Sequence, residues 1–346
     1  MSIHFIDPLT DARWNDFVAC HPQASAFHER GWLEALSRTY GYKPLALTTA
    51  TADEPLGDAM VLCRVSSWIT GTRLVSLPFA DHCEPLLNGP AEFPEFMNCL
   101  REQCDRRGWR YFELRPFSSA PEVENGLRPS TSFWAHELDT TPSLEQLFRG
   151  LHENSFRRKI RRAEKELLSY EVGNSQSLLD EFYRLLLVTR RRHKVLPQPR
   201  AWFRNLIACL GDKLQIRVAS KDGVAIGAML TLRHQSSVVY KYGCSDESYH
   251  TSGTMPFLFW KLVEDAKAAG VDKIDLGRTD LDNEGLIRFK DRLGTMRKLM
   301  TYYRYTHGKQ HRSMIGWSSR GFRGFCSILP DTLFTTAGGV LYRHIG

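Results

Sequence analysis

The sequence predicts a mixed α/β (α+β) fold in which one unit is used twice in tandem, with a helical connection between the copies. Three observations predict it. Residues 201–305 read as three strands, a helix and a strand. Residues 1–141 read in the same order, and residues 142–200 between them have helical periodicity. Strand patterns interrupted by one long helix, met twice, are what a duplicated α/β unit requires. Residues 306–346 form a basic tail.

In the first copy, helical patterns near Ala12 to Cys20 and Trp32 to Tyr40 precede strands at Leu45 to Thr49, Ala59 to Val65 and Thr72 to Ser76. A helix from Phe93 to Arg107 is closed by Gly108, which suits the left-handed residue at a helix end. The strand Arg110 to Leu114 stops at Pro116, which has no N–H for a ladder. A further strand covers Ser132 to Leu138. In the connection, Ser143 with Glu145 and Gln146 supplies N-terminal capping chemistry for a helical stretch reaching Leu168. Leu178 to His193 is a second helix, with Leu179, Phe182, Leu185, Leu186 and Thr189 at helical spacing, and Pro197 and Pro199 break it. In the second copy, the strand Leu214 to Ala219 meets the turn Lys221-Asp222-Gly223. Strands Val224 to Leu232 and Ser237 to Tyr242 follow. The polar turn Ser252-Gly253-Thr254 then opens an amphipathic helix from Met255 to Ala269. Gly270 ends that helix, and the strand Lys273 to Leu276 closes the unit.

The chain has 346 residues, 42% of them apolar, enough to bury a sizeable core. No apolar run approaches the roughly 20 residues needed to cross a bilayer. Met1-Ser2-Ile3-His4 lacks a basic and an apolar region, so no secretory signal and a cytoplasmic location are expected. The eight cysteines form no C-x-x-C pair and no zinc spacing with histidine, so free thiols and no metal are expected. The net charge of +7 is concentrated. Arg157, Arg158, Lys159, Arg161, Arg162 and Lys165 crowd one segment; Arg190, Arg191, Arg192 and Lys194 another; and Lys309 to Arg323 a third. Such clusters attract phosphates, nucleic acid or an anionic membrane, and each single arginine also suits a solvated helix face.

Four places can carry chemistry. Free N–H groups at a helix start bind anions, so Ser252, Gly253 and Thr254 are candidates to hold a phosphate-bearing cofactor or donor, with Pro256 in the first helical turn. The same residues also suit an ordinary helix cap. At the end of a core strand, Tyr240-Lys241-Tyr242-Gly243-Cys244 alternates, putting Tyr240 and Tyr242 on one face. Tyr242 can hold an acceptor or protonate a leaving group; a packed aromatic is the alternative, and Cys244 lacks a histidine partner. Arg278, after the closing strand, and Lys290, on a short helix beginning near Gly285, can neutralise phosphate or a developing oxyanion. In the first copy, Leu77 to Pro85 includes Asp81, His82, Cys83 and Glu84. Adjacent side chains diverge, so a loop lining a substrate groove is expected rather than a metal site or a Cys83–His82 dyad.

Together these residues resemble the FemAB-type branch of the GNAT superfamily. The resemblance rests on Trp32 and Tyr40-Gly41-Tyr42, Leu77-Pro78-Phe79, the segment Phe156 to Lys165, Thr189 to Arg192, Tyr242-Gly243, Pro256 and Trp260, Gly285-Leu286 and Phe289-Lys290. It covers roughly residues 5–305. Leu329-Pro330 and the ending Gly339 to Arg343 resemble a bacterial subset linked to surface-polysaccharide production. The resemblance implies an N-acyltransferase built of two tandem GNAT-like domains. Residues matching the family's acceptor site are Arg192, Tyr242 and Lys290, and Lys290 matches a lysine proposed to stabilise the transition state. Trp32, Asp81 and His82 are further substrate-binding candidates.

The expected reaction is acyl transfer from acyl-CoA to an amine on a nucleotide- or lipid-linked sugar or peptide precursor of the cell envelope or exopolysaccharide. Two alternatives stay open. One is aminoacyl-tRNA-dependent transfer onto peptidoglycan precursors, although Leu151 to Val188 is too short and interrupted for the long coiled-coil arm of tRNA-using members. The other is a non-catalytic envelope-assembly protein. A base is not evident; Asp275, Asp280 and Asp282 are candidates. The basic tail, with Arg312, Trp317, Arg320 and Arg323, suggests peripheral contact with the inner membrane. No helix-turn-helix or zinc pattern supports DNA binding.

Overall fold

The computed structural model describes residues 2–117, 126–306 and 330–345. It divides into two compact units. The first takes residues up to 133 together with 300–306 and 339–345, and the second takes 134–299 together with 330–338.

The first unit holds β1 (His4–Ile6), α1 (Arg13–Cys20), α2 (Arg30–Tyr40), β2 (Lys43–Thr48), β3 (Met60–Ser67), β4 (Gly71–Val75), α3 (Phe93–Arg106) and β5 (Tyr111–Leu114). Strand β6 (Arg128–Asp139) begins in this unit and ends in the second. The second unit continues with α4 (Leu144–Gly150), α5 (Arg158–Lys165), β7 (Ser169–Gly173), α6 (Gln176–Arg192) and α7 (Arg200–Leu210). Then come β8 (Leu214–Lys221), β9 (Val224–His234), β10 (Ser237–Ser245), α8 (Thr254–Ala268), β11 (Lys273–Asp280) and α9 (Glu284–Asp291). β12 (Met296–Thr306) returns the chain to the first unit, and α10 (Asp331–Ile345) lies at the C-terminus.

The two units share a strand order. In the first it is β1-β2-β3-β4-β5-β12, and in the second β7-β8-β9-β10-β11-β6. Each starts with antiparallel neighbours and then makes one parallel pair, β4 with β5 and β10 with β11. A parallel pair needs a crossover, and α3 and α8 supply it. The tandem α/β architecture expected from the sequence is therefore present.

Local chemistry explains the elements. Asp222 and Gly223, at φ 50° and 78°, form the two-residue turn between β8 and β9. Positive φ at both positions gives the twist that a tight hairpin needs. Gly41 ends α2 in the left-handed region at φ 70°. Ser143 and Gln146 form the expected capping box on α4, each side chain meeting the other's backbone N–H.

The expected helical stretch from Ser143 to Leu168 is broken: α4 ends at Gly150, and a π-turn over Glu153–Arg157 leads into α5. The 142–200 stretch also contains β7, paired antiparallel to β8, within the second unit. The tail residues 307–329, on which the membrane expectation rested, lie outside the described residues. Ile328 and Leu329 are among them, whereas Leu333 lies in the first turn of α10.

The core of the second unit packs Phe156 and Ile160, Leu258, Leu262 and Val263 of α8, and Met229 and Ile274 of the sheet. The first unit packs Phe96 and Leu100 of α3 against Leu62, Leu74 and Phe112. At roughly 1.5–3 kcal/mol for each fully buried large apolar side chain, these two clusters fix both crossover helices on their sheets.

Candidate active site

The second unit opens where its parallel strands part. β10 and β11 pair only at Ser237 with Lys273, Val238 with Ile274 and Val239 with Asp275. Just beyond, the register of β10 on β9 slips at Lys241, so that Tyr240 faces Thr231 and Tyr242 faces Leu230. One extra residue is a β-bulge, and it reverses the alternation. Tyr240 and Tyr242 therefore do not share a face, contrary to expectation. Tyr240 packs on Phe259 of α8, with its hydroxyl against Gly243, where a Cβ would sit 1.8 Å away. Tyr242 turns to the other side, against Phe182 of α6 and Phe203 of α7.

The bulged strand leads to the start of α8. Gly253 stands there at φ 77°, and a Cβ on it would lie 2.3 Å from the Lys159 carbonyl oxygen. Both facts require glycine, because the left-handed backbone and the close approach of α5 each exclude a side chain. Thr254 follows, with its methyl group over Gly227 of β9. The Thr254 hydroxyl is buried and has no hydrogen-bond partner among the described residues. A buried hydroxyl without a partner costs free energy, so a ligand oxygen at this point is favoured. Ser252 is buried and bonds to the Glu166 carboxylate. Hydrogen bonds from Lys221, then Arg162, hold that carboxylate down to about 2.

A cavity of about 450 Å³ lies over this helix start. Lys159, His250, Arg288 and Arg292 line it, together with Thr254, Met255, Pro256 and Phe289. Asp246 is the one carboxylate in the lining. Lys159 and Arg292 have no acidic partner among the described residues. No acidic residue lies in the first turn of α8. Helix dipole, cations and an unpartnered hydroxyl together make a site for an anionic group.

The expected site residues fall in several places. Of Ser252, Gly253 and Thr254, Thr254 lines the cavity, Gly253 sets the start of the helix, and Ser252 is buried against Glu166. Arg192, at the end of α6, lies 3.2 Å from Nε2 of His250, whose ring lines the cavity. Lys290 is only 3% exposed and is not in that lining. Its ammonium donates to the carbonyls of Gly277 and Arg278 at 3.0 and 3.3 Å. It thus clamps α9 to the part of β11 that has left β10. The Arg278 side chain is exposed.

The Tyr242 hydroxyl accepts a hydrogen bond from Trp202 Nε1 at 3.0 Å, and the ring is 7% exposed. It is packed beneath the sheet rather than offered to the cavity. Trp32 is wholly buried in the first unit, edge-on to Phe27, so its indole is core and not a binding surface. The Asp81 carbonyl accepts from the Tyr302 hydroxyl, and His82 stands edge-on to Phe27 and Phe117. The surrounding loop is strained, with Leu77 and Phe79 at φ 43° and 63°.

No thiol in these stretches is a nucleophile. Burial pushes the Cys83 and Cys244 thiols up, and Cys83 Sγ lies 3.5 Å from His28 rather than by its neighbour His82. Asp275 is buried and turned back onto the Gly277 N–H at 2.7 Å. His136 of β6 is fully buried, 3.4 Å from Asp291. Burial, then the nearby Lys290, lowers its pKa and favours the neutral ring. Among the described residues no cluster can hold a metal ion.

Half of the basic residues in segment 157–165 are occupied with nearby carboxylates. Arg157 and Arg161 meet Glu153, and Arg162 meets Glu166. Lys159 is its member in the cavity. Sequence reasoning named Lys159 in a basic cluster and in the resemblance but not as a site residue, and did not single out Arg288, His250 or Arg292. The four-residue interval from Arg288 to Arg292, one helical turn, was the available signal.

Comparisons with known proteins bear on this geometry. Residues 152–321 match the family model described as acetyltransferase (GNAT) domain. A UDP-N-acetylmuramoylpentapeptide-lysine N(6)-alanyltransferase of Weissella viridescens is 26% identical over 145 residues, 40% of this chain. The match spans 42% of that enzyme's length. Among solved structures, FemX superposes with a TM-score of 0.69 at 13% identity, covering 88% of this chain and 97% of FemX. A tandem GNAT protein from the clavulanic acid biosynthesis pathway gives 0.54 at 12% identity, covering 90% and 100%. L-PGS from Bacillus licheniformis gives 0.53 at 17% identity, covering 72% and 82%. These structural likenesses concern the fold.

Proposed function

We propose that this chain, a FemAB-like member of the GNAT superfamily and an acyltransferase, takes its acyl group from acyl-CoA held over the start of α8. The acceptor is an amine on a nucleotide- or lipid-linked sugar or peptide precursor of the cell envelope. The observation that carries this reading is the cationic cavity at the start of α8, with its unpartnered Thr254 hydroxyl. Lys159, Arg288 and Arg292 meet the donor's phosphates, and the α8 dipole adds to them.

In the transfer the amine nitrogen attacks the thioester carbonyl, a C–N bond forms, the C–S bond breaks and the amine loses a proton. The barrier is charge on the acyl oxygen. Lys290 is proposed to act there, directly or by holding the Gly277–Arg278 backbone in place. Removing one such stabilising donor costs about 2.7–4 kcal/mol in well-studied sites. No base is assigned, and water takes the proton.

A second reading is aminoacyl-tRNA as donor, favoured by the alanyltransferase relative. A reconstituted reaction separates the two. Purified protein, acyl-CoA and envelope precursors are expected to release free thiol in step with acylated product, in the presence of RNase. Activity that requires charged tRNA and is abolished by RNase would replace acyl-CoA with aminoacyl-tRNA. Among the described residues no helix is long and apolar enough to cross a membrane.

A further inference from the structure

The hairpin between β3 and β4 ends in Trp68-Ile69-Thr70. Trp68 is 88% exposed and Ile69 42%, large apolar side chains placed together in water. The tip is held firmly. Ser67 Oγ accepts from the N–H groups of Ile69 and Thr70, both at 3.1 Å. The last turn of α10 is tied to it: the Thr70 hydroxyl and the Arg73 guanidinium donate to the His344 carbonyl at 3.1 and 2.8 Å. Trp68 stands edge-on to the His344 ring. Val340, one turn earlier on the same helix face, is 59% exposed. Cations flank these side chains. Arg110 donates to the Thr70 carbonyl at 3.2 Å, and Arg343 lies beside His344 on an exposed face. Neither arginine has a carboxylate partner among the described residues.

We propose that this tip is an interfacial anchor that docks the first unit on an anionic phospholipid bilayer. Trp68, Ile69 and Val340 enter the boundary between headgroups and acyl chains, where an indole ring is favoured. Arg110 and Arg343 meet lipid phosphates, each strengthening attraction roughly five-fold near an anionic leaflet. The uncompensated arginines, on a chain of net charge +7, choose a bilayer over a second copy of the chain, since two such tips would set like charges against each other. The anchor does not depend on which acyl donor is used.

The test is sedimentation of the full chain with vesicles of phosphatidylcholine mixed with phosphatidylglycerol, and with phosphatidylcholine alone, at low and high salt. Wild-type protein is expected to bind the mixed vesicles, and less so at high salt. Trp68→Ala with Ile69→Ser is expected to lower partitioning about ten-fold or more. Arg110→Gln with Arg343→Gln is expected to remove the preference for phosphatidylglycerol. Acetyl-CoA titration of each variant, with its thermal unfolding, keeps loss of the anchor distinct from loss of the donor site or of the fold. Wild-type protein left in solution with both vesicles overturns the proposal. So does unchanged binding by the Trp68 variant, or self-association without lipid that this variant abolishes.

Discussion

The crossover helices α3 and α8 occupy the same place in the strand order of their units, yet they begin in opposite ways. α3 opens with Glu92, a proline in its first turn and Glu95, and the Glu92 carboxylate accepts the Asn88 N–H at 3.2 Å. It brings its own negative charge to the positive end of its dipole. α8 opens on a left-handed glycine, has no acid in its first turn, and faces a cationic cavity. The comparison teaches that topology alone does not make an anion site. The candidate site lies where the chain leaves the helix start without a carboxylate and thins the backbone to glycine.

The largest expected effect is at Lys290. Lys290→Met keeps the aliphatic stem but removes the ammonium from the Gly277 and Arg278 carbonyls. Turnover is expected to fall about 100- to 1,000-fold, with donor affinity retained. Steady-state kinetics beside calorimetry checks it, and near-normal turnover removes Lys290 from the mechanism.

Next is Gly253→Ala. A left-handed non-glycine backbone costs about 1–3 kcal/mol, and here the Lys159 carbonyl must also move. Gly41→Ala is the control: it is also left-handed but has nothing within 4 Å of the added carbon, and is expected to cost about 1–2 kcal/mol. Urea unfolding is expected to rank Gly253→Ala as the worse, with weaker donor binding at that position only. Equal costs would mean that the approach of α5 to α8 carries no energy.

Smaller effects come from Glu166 and from α3. Glu166 has a depressed pKa, so its contribution is present above about pH 4.3, its ordinary value, and is lost as pH falls toward 2. The urea midpoint is expected to drop over that interval in the wild type and to drop less in Glu166→Gln. Glu92→Gln with Glu95→Gln is expected to leave turnover unchanged and to cost at most about 1 kcal/mol at low salt. A large loss of activity in that variant would show that the first unit's helix start also serves the reaction.

Much of the tandem fold was legible because its signals are local. Asp222-Gly223 marks a hairpin, Gly41 a helix end, and Ser143 with Gln146 a cap. The turn Ser252-Gly253-Thr254 at the start of α8 was legible for the same reason, and its role in binding an anion is the proposal made above. Tyr242 was not, because one inserted residue at Lys241 reverses a strand's faces, and alternation carries no warning of a bulge. Trp32 was misread because a family position says nothing of burial. His250 and Arg292 come to the cavity from separate elements, and only the folded chain brings them to Thr254.

The most direct measurement is calorimetric titration of acetyl-CoA and free CoA into the wild-type chain and into Lys159→Gln with Arg288→Gln. The account predicts one micromolar site per chain for both ligands, weakened at least ten-fold in the double variant and by added salt. No binding by folded wild-type protein, or equal binding by the double variant, would contradict a donor site over α8.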